Sequence, residues 1–457
     1  MPAFASLTLS PALLQALEAL GYTRMTPIQA RSLPLILAGR DVTGQARTGT
    51  GKTVAFGLGL LAALDPAQIR LQGLVLCPTR ELADQVSKAI RALARFIPNI
   101  KLLTLCGGIP LGPQLASLVH DPHLVVGTPG RIQELKRKGK LHFGGIKVAV
   151  LDEADRMLDM GFSEAIDELM AALPKQRQTL LYSATFPDAV RAVSRRFQRE
   201  PADVTVDEKE TEEPVTQHFH EVEPAHKPGV LLQLLAEHRP ESTLVFCNTR
   251  RGTEELAQQL DEHGVAAMAL HGELDQRERE EILVRFANRS IRVLVATDVA
   301  ARGLDIEDLP AVVSYELASD PDAHRHRIGR TGRAGRTGLA LALVSSREMP
   351  RAHAIEAAQG TPIAWHTTTS RRDGGRGLPP PPMVTLAVDG GRRDKMRAGD
   401  ILGALTGTAG LDATAVGKID LFATRSYVAI ARAQAERAMA RLREGKIKGR
   451  NFRVRRI

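Results

Sequence analysis

The sequence predicts an α/β protein built from two parallel-sheet lobes in tandem, followed by a small α+β domain. Short continuous apolar runs that end in small or polar residues alternate with helical patterns as far as residue 350, as expected for parallel strands covered on both faces. Two segments break this alternation, an acidic one at 207–216 and an arginine-, glycine- and proline-rich one at 370–382. After the second break the pattern changes to strand–helix–strand–strand–helix–strand.

The first lobe is expected to span residues 1–206. Its predicted strands are Asp41–Thr43, Gly73–Pro78, Lys101–Gly107, Leu124–Thr128, Lys147–Asp152 and Thr179–Ser183. After a linker at 207–216, the second lobe is expected to span 217–369, with strands at Thr243–Asn248, Val265–His271, Ile291–Asp298, Ala311–Glu316 and Gly338–Val344. Functional residues should collect at the carboxyl ends of these strands.

A second linker, at 370–382, precedes the last domain at 383–457. We expect this linker to be an exposed, partly extended tether, because it mixes arginine and glycine with four prolines. The predicted elements of the domain are strand Val384–Val388, helix Arg397–Leu405, strand Gly417–Phe422, strand Ser426–Ala431, helix Gln434–Leu442 and strand Phe452–Arg456. This βαββαβ order is the ferredoxin-like order of RNA-recognition motifs.

The distribution of charge sets the last domain apart. The chain has 457 residues, with 61 Lys and Arg against 52 Asp and Glu, so its net charge is +9. Residues 371–457 hold 19 basic and 8 acidic side chains, a net of +11, whereas the remainder holds 42 and 44, a net of −2. A basic module on a near-neutral body indicates a polyanionic partner.

Composition excludes several protein classes. With 43% apolar residues the chain can bury cores, which excludes wholesale disorder. No apolar run reaches the roughly 18 residues of a membrane-spanning helix, and the first ten residues show no secretory signal. Cys77, Cys106 and Cys247 are scattered in apolar runs, as expected for buried thiols rather than for disulfides or metal ligands. We therefore expect a cytoplasmic protein with no membrane association.

A glycine-rich loop after the first predicted strand indicates a phosphate-binding site. It reads ARTGTGKT and fits the P-loop pattern with alanine in the first position. Backbone N–H groups at the following helix start bind phosphates, the lysine adds a charge for the β and γ phosphates, and the last hydroxyl is a Mg²⁺ ligand. The residues concerned are Ala46, Arg47, Thr48, Gly49, Thr50, Gly51, Lys52 and Thr53.

Two further motifs supply the chemistry of phosphoryl transfer. One predicted strand ends in paired carboxylates: Asp152 is placed to hold Mg²⁺, and Glu153 to orient and deprotonate an attacking water. The segment HRIGRTGR at 326–333 puts Arg330 and Arg333 three residues apart, so both can face one anion as arginine fingers from the second lobe. Hydrolysis would then require the two lobes to close.

These motifs resemble those of the DEAD-box ATP-dependent RNA helicases, and about ten such motifs occur in the order of that family. Where the family commonly has an aromatic residue two positions before the histidine of HRIGRTGR, this chain has His324, which we expect to alter packing more than chemistry. The remaining motifs are GYTRMTPIQ at 21–29 with Phe4 as its upstream aromatic, PTRELA at 78–83, the glycine pair 107–108, TPGR at 128–131, SAT at 183–185, LVFCNT at 244–249, His271–Gly272, Gln276 with Arg279, and ATDVAARGLD at 296–305.

The resemblance implies two RecA-like lobes of the P-loop NTPase class that bind ATP and RNA together. Gln29 would bind the adenine edge, and Tyr22 would stack on the ring where the family more often has phenylalanine. From the second lobe, Gly303 and Asp305 would contact the nucleotide. A set of short polar side chains would couple the nucleotide site to the RNA site: Asp155, Ser183, Ala184, Thr185 and His326.

The same resemblance implies contacts to the RNA backbone without base reading, since the residues concerned are mostly glycines, hydroxyls and arginines at strand ends. In the first lobe they are Pro78, Thr79, Arg80, Gly108, Thr128, Gly130 and Arg131. In the second lobe they are Thr249, Arg250, Gly272, Gln276, Arg279, Thr297 and Asp298.

The last domain resembles the RNA-binding domain of the DbpA subfamily of bacterial DEAD-box proteins, through VDGGRRDKMRAGDILGAL, VGKIDLF and GKIKGRNFRVR. That resemblance implies recognition of 23S ribosomal RNA in precursors of the large ribosomal subunit. On its two central strands Tyr427 is the only aromatic residue, which favours binding through loops and basic ends over base stacking. The residues expected to contact RNA here are Tyr427, Arg392, Arg393, Lys395, Lys446, Lys448 and Arg450.

The sequence therefore predicts an RNA-stimulated ATPase that uses ATP and Mg²⁺, locally unwinds short RNA duplexes, is targeted to 23S rRNA and has no obligate protein partner. The alternatives are a non-enzymatic ATP-gated clamp or scaffold on RNA, a general RNA helicase without rRNA specificity, and a DNA helicase. Intact Glu153, Arg330 and Arg333 favour the enzyme over the clamp.

Overall fold

The computed structural model describes residues 2–46, 49–206, 215–301, 309–332, 337–366, 378–407 and 410–457. They form two compact units, the first ending before residue 207 and the second beginning at residue 215. Five residues predicted for the nucleotide site lie outside the described residues: Arg47, Thr48, Gly303, Asp305 and Arg333.

The first unit is a parallel sheet covered by helices on both faces. Its helices are α1 (Pro11–Ala19), α2 (Pro27–Leu37), α3 (Lys52–Ala63), α4 (Arg80–Leu93), α5 (Leu111–Ser117), α6 (Pro129–Arg137), α7 (Ala154–Asp159), α8 (Ser163–Ala171) and α9 (Asp188–Phe197). Its strands are β1 (Val42–Gln45), β2 (Gly73–Leu76), β3 (Leu102–Leu105), β4 (Leu124–Gly127), β5 (Val148–Leu151), β6 (Gln178–Ser183) and β7 (Ala202–Thr205). Over the described residues the order is β3-β4-β2-β5-β6-β1-β7, with every neighbouring pair parallel.

Alternate residues of the central strands pack into two separate apolar cores, one on each face of this sheet. Val75 and Val150 belong to one core, and their chain neighbours Leu74 and Leu151 belong to the other. Burial on both faces is the physical reason that these strands are continuous apolar runs rather than alternating ones. The predicted parallel sheet is confirmed in this unit.

The second unit contains another parallel sheet and, after it, the antiparallel sheet of the last domain. Its helices are α10 (Lys227–His238), α11 (Arg250–Glu262), α12 (Gln276–Ala287), α13 (Asp298–Ala301), α14 (Pro321–Ile328), α15 (Met349–Gln359), α16 (Ala398–Thr406) and α17 (Ala435–Glu444). Its strands are β8 (Val215–Glu221), β9 (Thr243–Cys247), β10 (Ala267–Leu270), β11 (Val293–Thr297), β12 (Ala311–Ser314), β13 (Gly338–Val344), β14 (Trp365–His366), β15 (Met383–Val388), β16 (Val416–Leu421), β17 (Ser426–Ala431) and β18 (Val454–Arg456).

Strand order confirms the predicted fold class for this unit as well. The parallel sheet runs β10-β11-β9-β12-β13-β8-β14, and the antiparallel sheet runs β16-β17-β15-β18. The second order, with β15 and β17 in the centre, is that of a βαββαβ domain. Among the described residues, no helix combines the length and the apolarity needed to cross a membrane.

Every strand predicted from the sequence is present, with ends that differ by at most two residues. The sequence missed β7, β8 and β14, which lie at or next to a sheet edge and carry polar residues or span two residues only. The predicted linker at 207–216 was wrong at its end: Val215 and Thr216 pair with Gly338 and Leu339 as the start of β8. Its remaining residues, 207–214, lie outside the described residues.

The described part of the second linker is held by both neighbouring domains. Arg292 of the parallel-sheet domain donates to the Pro379 carbonyl at 2.8 Å, and Leu378 packs against the core of that domain. From the last domain, the Arg432 backbone N–H donates to the Pro382 carbonyl at 2.9 Å. Residues 378–382 are therefore anchored rather than free, although Pro379, Pro380 and Pro382 are exposed as their composition predicted.

The antiparallel sheet packs one face against α12 of the parallel-sheet domain. Tyr427 of β17 and Ala387 of β15 form an apolar cluster with Val284 of α12. Beside this cluster, the buried Thr385 hydroxyl is 2.7 Å from the Ser290 hydroxyl. Asn288 Nδ2 also donates to the Thr385 hydroxyl, at 3.3 Å. The last domain is thus docked, not freely tethered.

Several buried groups in the two units are neutral or inert. Burial raises the pKa of the Cys106 and Cys247 thiols to about 12, as expected for small apolar side chains in a core.

His324 packs 5.7 Å from the Phe219 ring and is 3.1 Å from Gln217 Oε1. Burial, reinforced by Arg327 and Arg325, lowers the pKa of His324 to about 4. The structure thus shows His324 as a buried residue that packs within the second unit.

This environment makes stability depend on pH. Because His324 takes up a proton more readily in the unfolded chain, whose histidine pKa is about 6.5, stability falls as pH drops from there toward 4. We expect His324→Phe to remove on the order of 1–2 kcal/mol of the decline in unfolding free energy between pH 7 and pH 5. Urea unfolding at both pH values measures this, with exposed His353→Phe on α15 as the control. Equal pH dependence in wild type and His324→Phe would contradict the expectation.

Candidate functional site

The parallel order of the first sheet collects the predicted site residues at one edge and divides them into two groups. The nucleotide residues follow β1, β5 and β6, which are neighbours in the order β5-β6-β1. The predicted RNA residues follow β2, β3 and β4, which are neighbours in the order β3-β4-β2. The two groups therefore lie side by side along one line of strand ends.

The phosphate loop ends at the helix start that its sequence predicted. Gly51 caps α3 with φ of +92°, a left-handed conformation that glycine adopts without strain. Lys52, the first residue of α3, is buried, and its Nζ donates to the Ala46 carbonyl at 2.8 Å. The Ala46 N–H in turn donates to the Ser183 carbonyl at 3.1 Å, which joins the loop to the end of β6.

Of the predicted adenine residues, Gln29 contacts the same loop. The Gln29 side chain accepts from the Thr26 N–H at 2.8 Å and donates to the Gly51 carbonyl at 3.0 Å, while Thr26 Oγ1 donates to the Thr50 carbonyl at 2.7 Å. Tyr22 is 44% exposed, so its ring is accessible for stacking. Phe4 is instead buried in the apolar core of this unit, where it supports the segment without an exposed face.

The two carboxylates after β5 are buried in different surroundings. Burial raises the pKa of Asp152 to about 6, with the Lys52 charge acting in the opposite direction. Glu153 has φ of +53°, an uncommon conformation for a residue with a side chain, and Arg156 Nη1 donates to its Oε2 at 2.9 Å. This ion pair, with side chains 3% and 5% exposed, orients the carboxylate that the sequence assigns to the attacking water.

The surroundings of Asp152 fit a metal ion. Its Oδ1 is buried and has no hydrogen-bond partner among the described residues. A buried carboxylate oxygen without a donor suits a cation, and Thr53 in the first turn of α3 can offer a hydroxyl. Over the same residues no group of three or more His, Cys, Asp and Glu side chains is arranged to hold a metal, but Mg²⁺ needs only one or two protein ligands beside water and phosphates.

The predicted coupling residues of the first unit form one hydrogen-bond network. Asp155 Oδ2 accepts from both the N–H and the hydroxyl of Thr185 at 2.9 Å, and the Asp155 N–H donates to the Ser183 hydroxyl at 3.2 Å. The Ala184 carbonyl is 3.5 Å from the side-chain nitrogen of Gln45 in β1. The loops after β5 and β6 are therefore joined to each other and to the phosphate loop.

The predicted RNA residues of the first unit lie in the loops after β2, β3 and β4, at the carboxyl-terminal edge of the sheet. Thr79 caps α4 and accepts from the Leu82 N–H at 3.3 Å, while Thr128 Oγ1 accepts from the Gly107 N–H at 3.3 Å. Pro78 precedes Thr79 at the same strand end, and Gly130 has open space at its Cα. Gly108 has φ of +70° and adjoins the Arg80 guanidinium, while Arg131 Nη2 donates to the Ile109 carbonyl at 3.1 Å.

The second unit repeats this division. The predicted RNA residues follow β10, β11 and β9, which are neighbours, and the predicted coupling and finger residues His326 and Arg330 lie between β12 and β13. Thr249 caps α11 through the Gly252 N–H at 3.1 Å, and Thr297 Oγ1 accepts from the Ala300 N–H at 3.3 Å. Of the remaining predicted RNA residues, Arg250 forms an ion pair with Glu273, and Gly272 has open space at its Cα. The Gln276 side chain donates to Glu280, and Arg279 donates to the Ala300 carbonyl.

Asp298, which is predicted to contact RNA, also holds a buried arginine. Its two carboxylate oxygens accept from Arg327 Nε at 2.7 Å and Arg327 Nη2 at 2.6 Å. The sequence prediction missed Arg327 and Arg156. Each follows a motif residue directly, but only the fold reveals which carboxylate each one binds.

The two basic loops of the last domain contact each other, but Tyr427, the aromatic residue predicted to contact RNA, is buried elsewhere. Lys448 Nζ donates to the Lys395 carbonyl at 2.8 Å, which brings together two loops that are distant in sequence. Their side chains are exposed at Arg392, Arg393, Lys395, Lys446, Lys448 and Arg450. Tyr427 is only 2% exposed, because α12 covers that face of the sheet, so the prediction that it contacts RNA was wrong for this arrangement.

Comparison with known proteins identifies the family. Three family models match in series: DEAD/DEAH box helicase over residues 26–193, helicase conserved C-terminal domain over 226–335 and DbpA RNA binding domain over 385–456. The ATP-dependent RNA helicase DbpA of Escherichia coli (strain K12) is 51% identical over 456 residues, covering 100% of this chain and 99% of that protein. The chain is a DEAD-box ATP-dependent RNA helicase.

Other relatives show which part of this DEAD-box helicase is widely shared. CshA of Geobacillus kaustophilus (strain HTA426) is 43% identical over 78% of the chain and 76% of its own length. The solved structure of S. cerevisiae Dbp5 bound to RNA and ADP BeF3 matches with a TM-score of 0.74 and 31% identity over 80% of the chain and 96% of its own. These matches confirm the predicted enzyme class, its use of ATP and its binding of RNA.

Gly51 tests the link between the phosphate loop and Gln29 in this helicase. A Cβ at Gly51 would lie 2.4 Å from Gln29 Nε2, and φ of +92° disfavours any side chain there. We expect Gly51→Ala to raise the KM for ATP about tenfold or more, since such strain costs on the order of 1–3 kcal/mol. Steady-state ATPase assays measure this. Gly144→Ala, where a Cβ meets open space in the same unit, is the control, and an unchanged KM in Gly51→Ala would refute the link.

Proposed function

We propose that this helicase is a Mg²⁺-dependent, RNA-stimulated ATPase that locally unwinds short RNA duplexes and is targeted to 23S rRNA during assembly of the large ribosomal subunit in the cytoplasm. One observation carries the catalytic part of the proposal. The buried Asp155 carboxylate bonds Thr185 and its backbone bonds Ser183, which joins the loop after β5, the nucleotide strand next to the RNA strand β2, to the end of β6 and the loop after it. Such a network gives RNA binding a physical route to the phosphate site.

The residues of the phosphate site divide the chemistry among them. Lys52, whose Nζ bonds the Ala46 carbonyl, neutralises charge on the β and γ phosphates, and Thr53 and Asp152 would hold Mg²⁺. When bound, Mg²⁺ supplies positive charge at the phosphates. Glu153, oriented by Arg156, positions the attacking water and accepts its proton.

Arg330 completes the site by stabilising the charge that develops on the transferred phosphoryl group, together with Arg333. Lys52 and Glu153 belong to the first unit and Arg330 to the second. In this proposal both units bind RNA through the residues at their strand ends, and turnover therefore depends on RNA.

Targeting is assigned to the basic loops of the last domain. One face of its sheet is covered by α12, so the exposed cations at 392–395 and 446–450 are its accessible phosphate-binding surface. The likeness of this domain to the DbpA RNA binding domain supports the proposed recognition of 23S rRNA. The buried, unpaired thiols of Cys77, Cys106 and Cys247 support a reducing compartment, as the cytoplasm provides.

Two substitutions test the catalytic assignment. We expect Lys52→Ala to lower RNA-stimulated phosphate release on the order of a hundredfold, because a preorganised charge at the phosphates is lost. Glu153→Gln should lower it by about 10²–10⁴-fold, because the amide cannot accept the proton of water. Lys147→Ala, which removes another lysine whose Nζ contacts a backbone carbonyl in this unit, is the matched control. Undiminished release in either purified variant would refute the assignment, and a wild type that releases no phosphate would favour the ATP-gated clamp.

Neutralising the basic loops tests the targeting. Deleting the last domain would uncover Val284 of α12, so substitutions in the full chain are cleaner. We expect Lys446→Gln combined with Arg450→Gln to weaken binding of a 23S rRNA fragment and to reduce its salt dependence by about one unit of log–log slope per lost contact. Titrations at several salt concentrations measure this.

The preference of the double variant for the 23S fragment over an unrelated RNA of equal length should fall, while hydrolysis on saturating unrelated RNA stays at the wild-type rate. Lys418→Gln, an exposed lysine on β16 outside both loops, is the control. A double variant that discriminates as well as wild type would contradict the targeting and favour a helicase without rRNA specificity.

A further inference from the structure

Gln114, on the short helix α5 of the first unit, is a buried polar residue that the proposed function does not use. Its Nε2 donates at 3.0 Å to the carbonyl of Cys106, which directly follows β3. Its Oε1 is also buried but has no hydrogen-bond partner among the described residues. The side-chain amide is therefore held through its nitrogen alone.

This half-bonded state sets Gln114 apart from the other buried glutamines. The described part of the first unit buries four more glutamine side chains, and none of them has a buried oxygen without a partner. In Gln29, Gln72 and Gln198 the side-chain oxygen and nitrogen are both bonded. A buried acceptor without a donor lowers stability, and an apolar side chain of similar shape would avoid that cost. The bond made by the Gln114 nitrogen is therefore the feature to explain.

The carbonyl that Gln114 holds begins a four-residue turn after β3, residues 106–109, which we call the glycine turn. Gln114 fixes the first residue of this turn from α5. Thr128, which directly follows β4, fixes the second, because its Oγ1 accepts from the Gly107 N–H at 3.3 Å. The start of the glycine turn is thus held from two sides, by a helix and by the end of the neighbouring strand.

The end of the glycine turn contacts two arginines to which RNA contact is assigned. Gly108, with φ of +70°, lies so close to Arg80 that a Cβ there would be 2.6 Å from its Cζ. Arg131 pairs with Glu134 through Nε at 3.0 Å, and its Nη2 donates to the Ile109 carbonyl at 3.1 Å. In each arginine, Nη1 is buried and has no hydrogen-bond partner in the part of the chain that the structure describes. Such guanidinium nitrogens suit the phosphates of a bound strand.

We propose that Gln114 is a positioning residue for RNA binding by the first unit: it holds the glycine turn, and the turn sets where Arg80 and Arg131 offer Nη1 to the RNA backbone. This inference rests on the proposed RNA contacts of the turn and of the two arginines. No RNA contact is assigned to Gln114 itself, so it acts on RNA through the turn. The nucleotide residues follow other strands, β1, β5 and β6, and stay in place when the bond is lost.

The test is Gln114→Met in the full-length protein, since methionine is of similar length and has no strong hydrogen-bonding group. The exchange loses the bond to the turn but also removes the unbonded oxygen, and these two effects on stability oppose each other. Gln178→Met is the matched control. Gln178 is buried in the same unit, and its Nε2 donates to the Ile36 and Arg40 carbonyls at the amino-terminal end of β6, the opposite edge of the sheet.

Gln114→Met should raise the KM for RNA about tenfold and leave RNA-saturated kcat within about twofold of wild type, because it removes binding that the ground and transition states share. Since the weakened contacts are to phosphates, the salt dependence of RNA binding should also fall by about one unit of log–log slope. Gln178→Met should change the KM for RNA by less than about twofold, even if thermal unfolding shows a larger loss of stability. An RNA KM and a salt slope that are equal in the two variants would make Gln114 merely structural and overturn the proposal.

Two further variants keep the test decisive if Gln114→Met does not fold. Gln114→Asn keeps the amide on a shorter side chain that cannot reach the carbonyl, so it should raise the RNA KM severalfold, and an unchanged KM would overturn the proposal. Gly108→Ala disturbs the turn directly. A normal RNA KM in Gly108→Ala refutes the role of the turn in RNA binding, whereas a raised KM there beside normal values in both Gln114 variants refutes only the role of Gln114.

Combining Gln114→Met with Gly108→Ala tests whether both act through the same turn. In that case the double variant should have nearly the RNA KM of Gly108→Ala alone, because residues that share one structural element are not independent. If the two effects on the RNA KM multiply in full, Gln114 does not act through the turn and the proposal is overturned.

Discussion

In a parallel sheet the carboxyl ends of all strands lie at one edge. This constraint brings the functional residues together in each of the two large sheets of this helicase. In the first unit, loops from six strands meet along one line, and strand order divides them into a nucleotide half and an RNA half. The second unit repeats the division. Short motifs, each of which is a weak functional signal on its own, therefore form one contiguous surface in each unit.

A buried, hydrogen-bonded charge stands at the centre of each surface. In the first unit it is Asp155, which bonds the loop after β6, and in the second it is Arg327, which bonds the loops after β9, β11 and β12. In a low-dielectric interior such groups tolerate few arrangements, because each lost partner costs about 1–3 kcal/mol. These hydrogen bonds therefore tie neighbouring loops to one another.

The sequence predicted the strands and the residues after them well, since a strand and the loop that follows it are local in the chain. It failed where the surroundings of a side chain are residues that are distant in the sequence. Nothing near Asp298 shows that Arg327 occupies both of its oxygens, and nothing near Tyr427 shows that Val284 covers it. Edge strands were missed for a related reason: with less burial, β7 and β14 lack the apolar pattern that marks a central strand.

Helix α12 serves two surfaces at once. Its first turns carry Gln276 and Arg279 of the RNA set, and its last turn supports the antiparallel sheet through Val284. In helicase cores that end after the second parallel sheet, the position of Val284 would face water and have no reason to be apolar. An alignment of such cores with proteins that carry the additional domain should therefore distinguish the two groups at this one position, without reference to the domain itself.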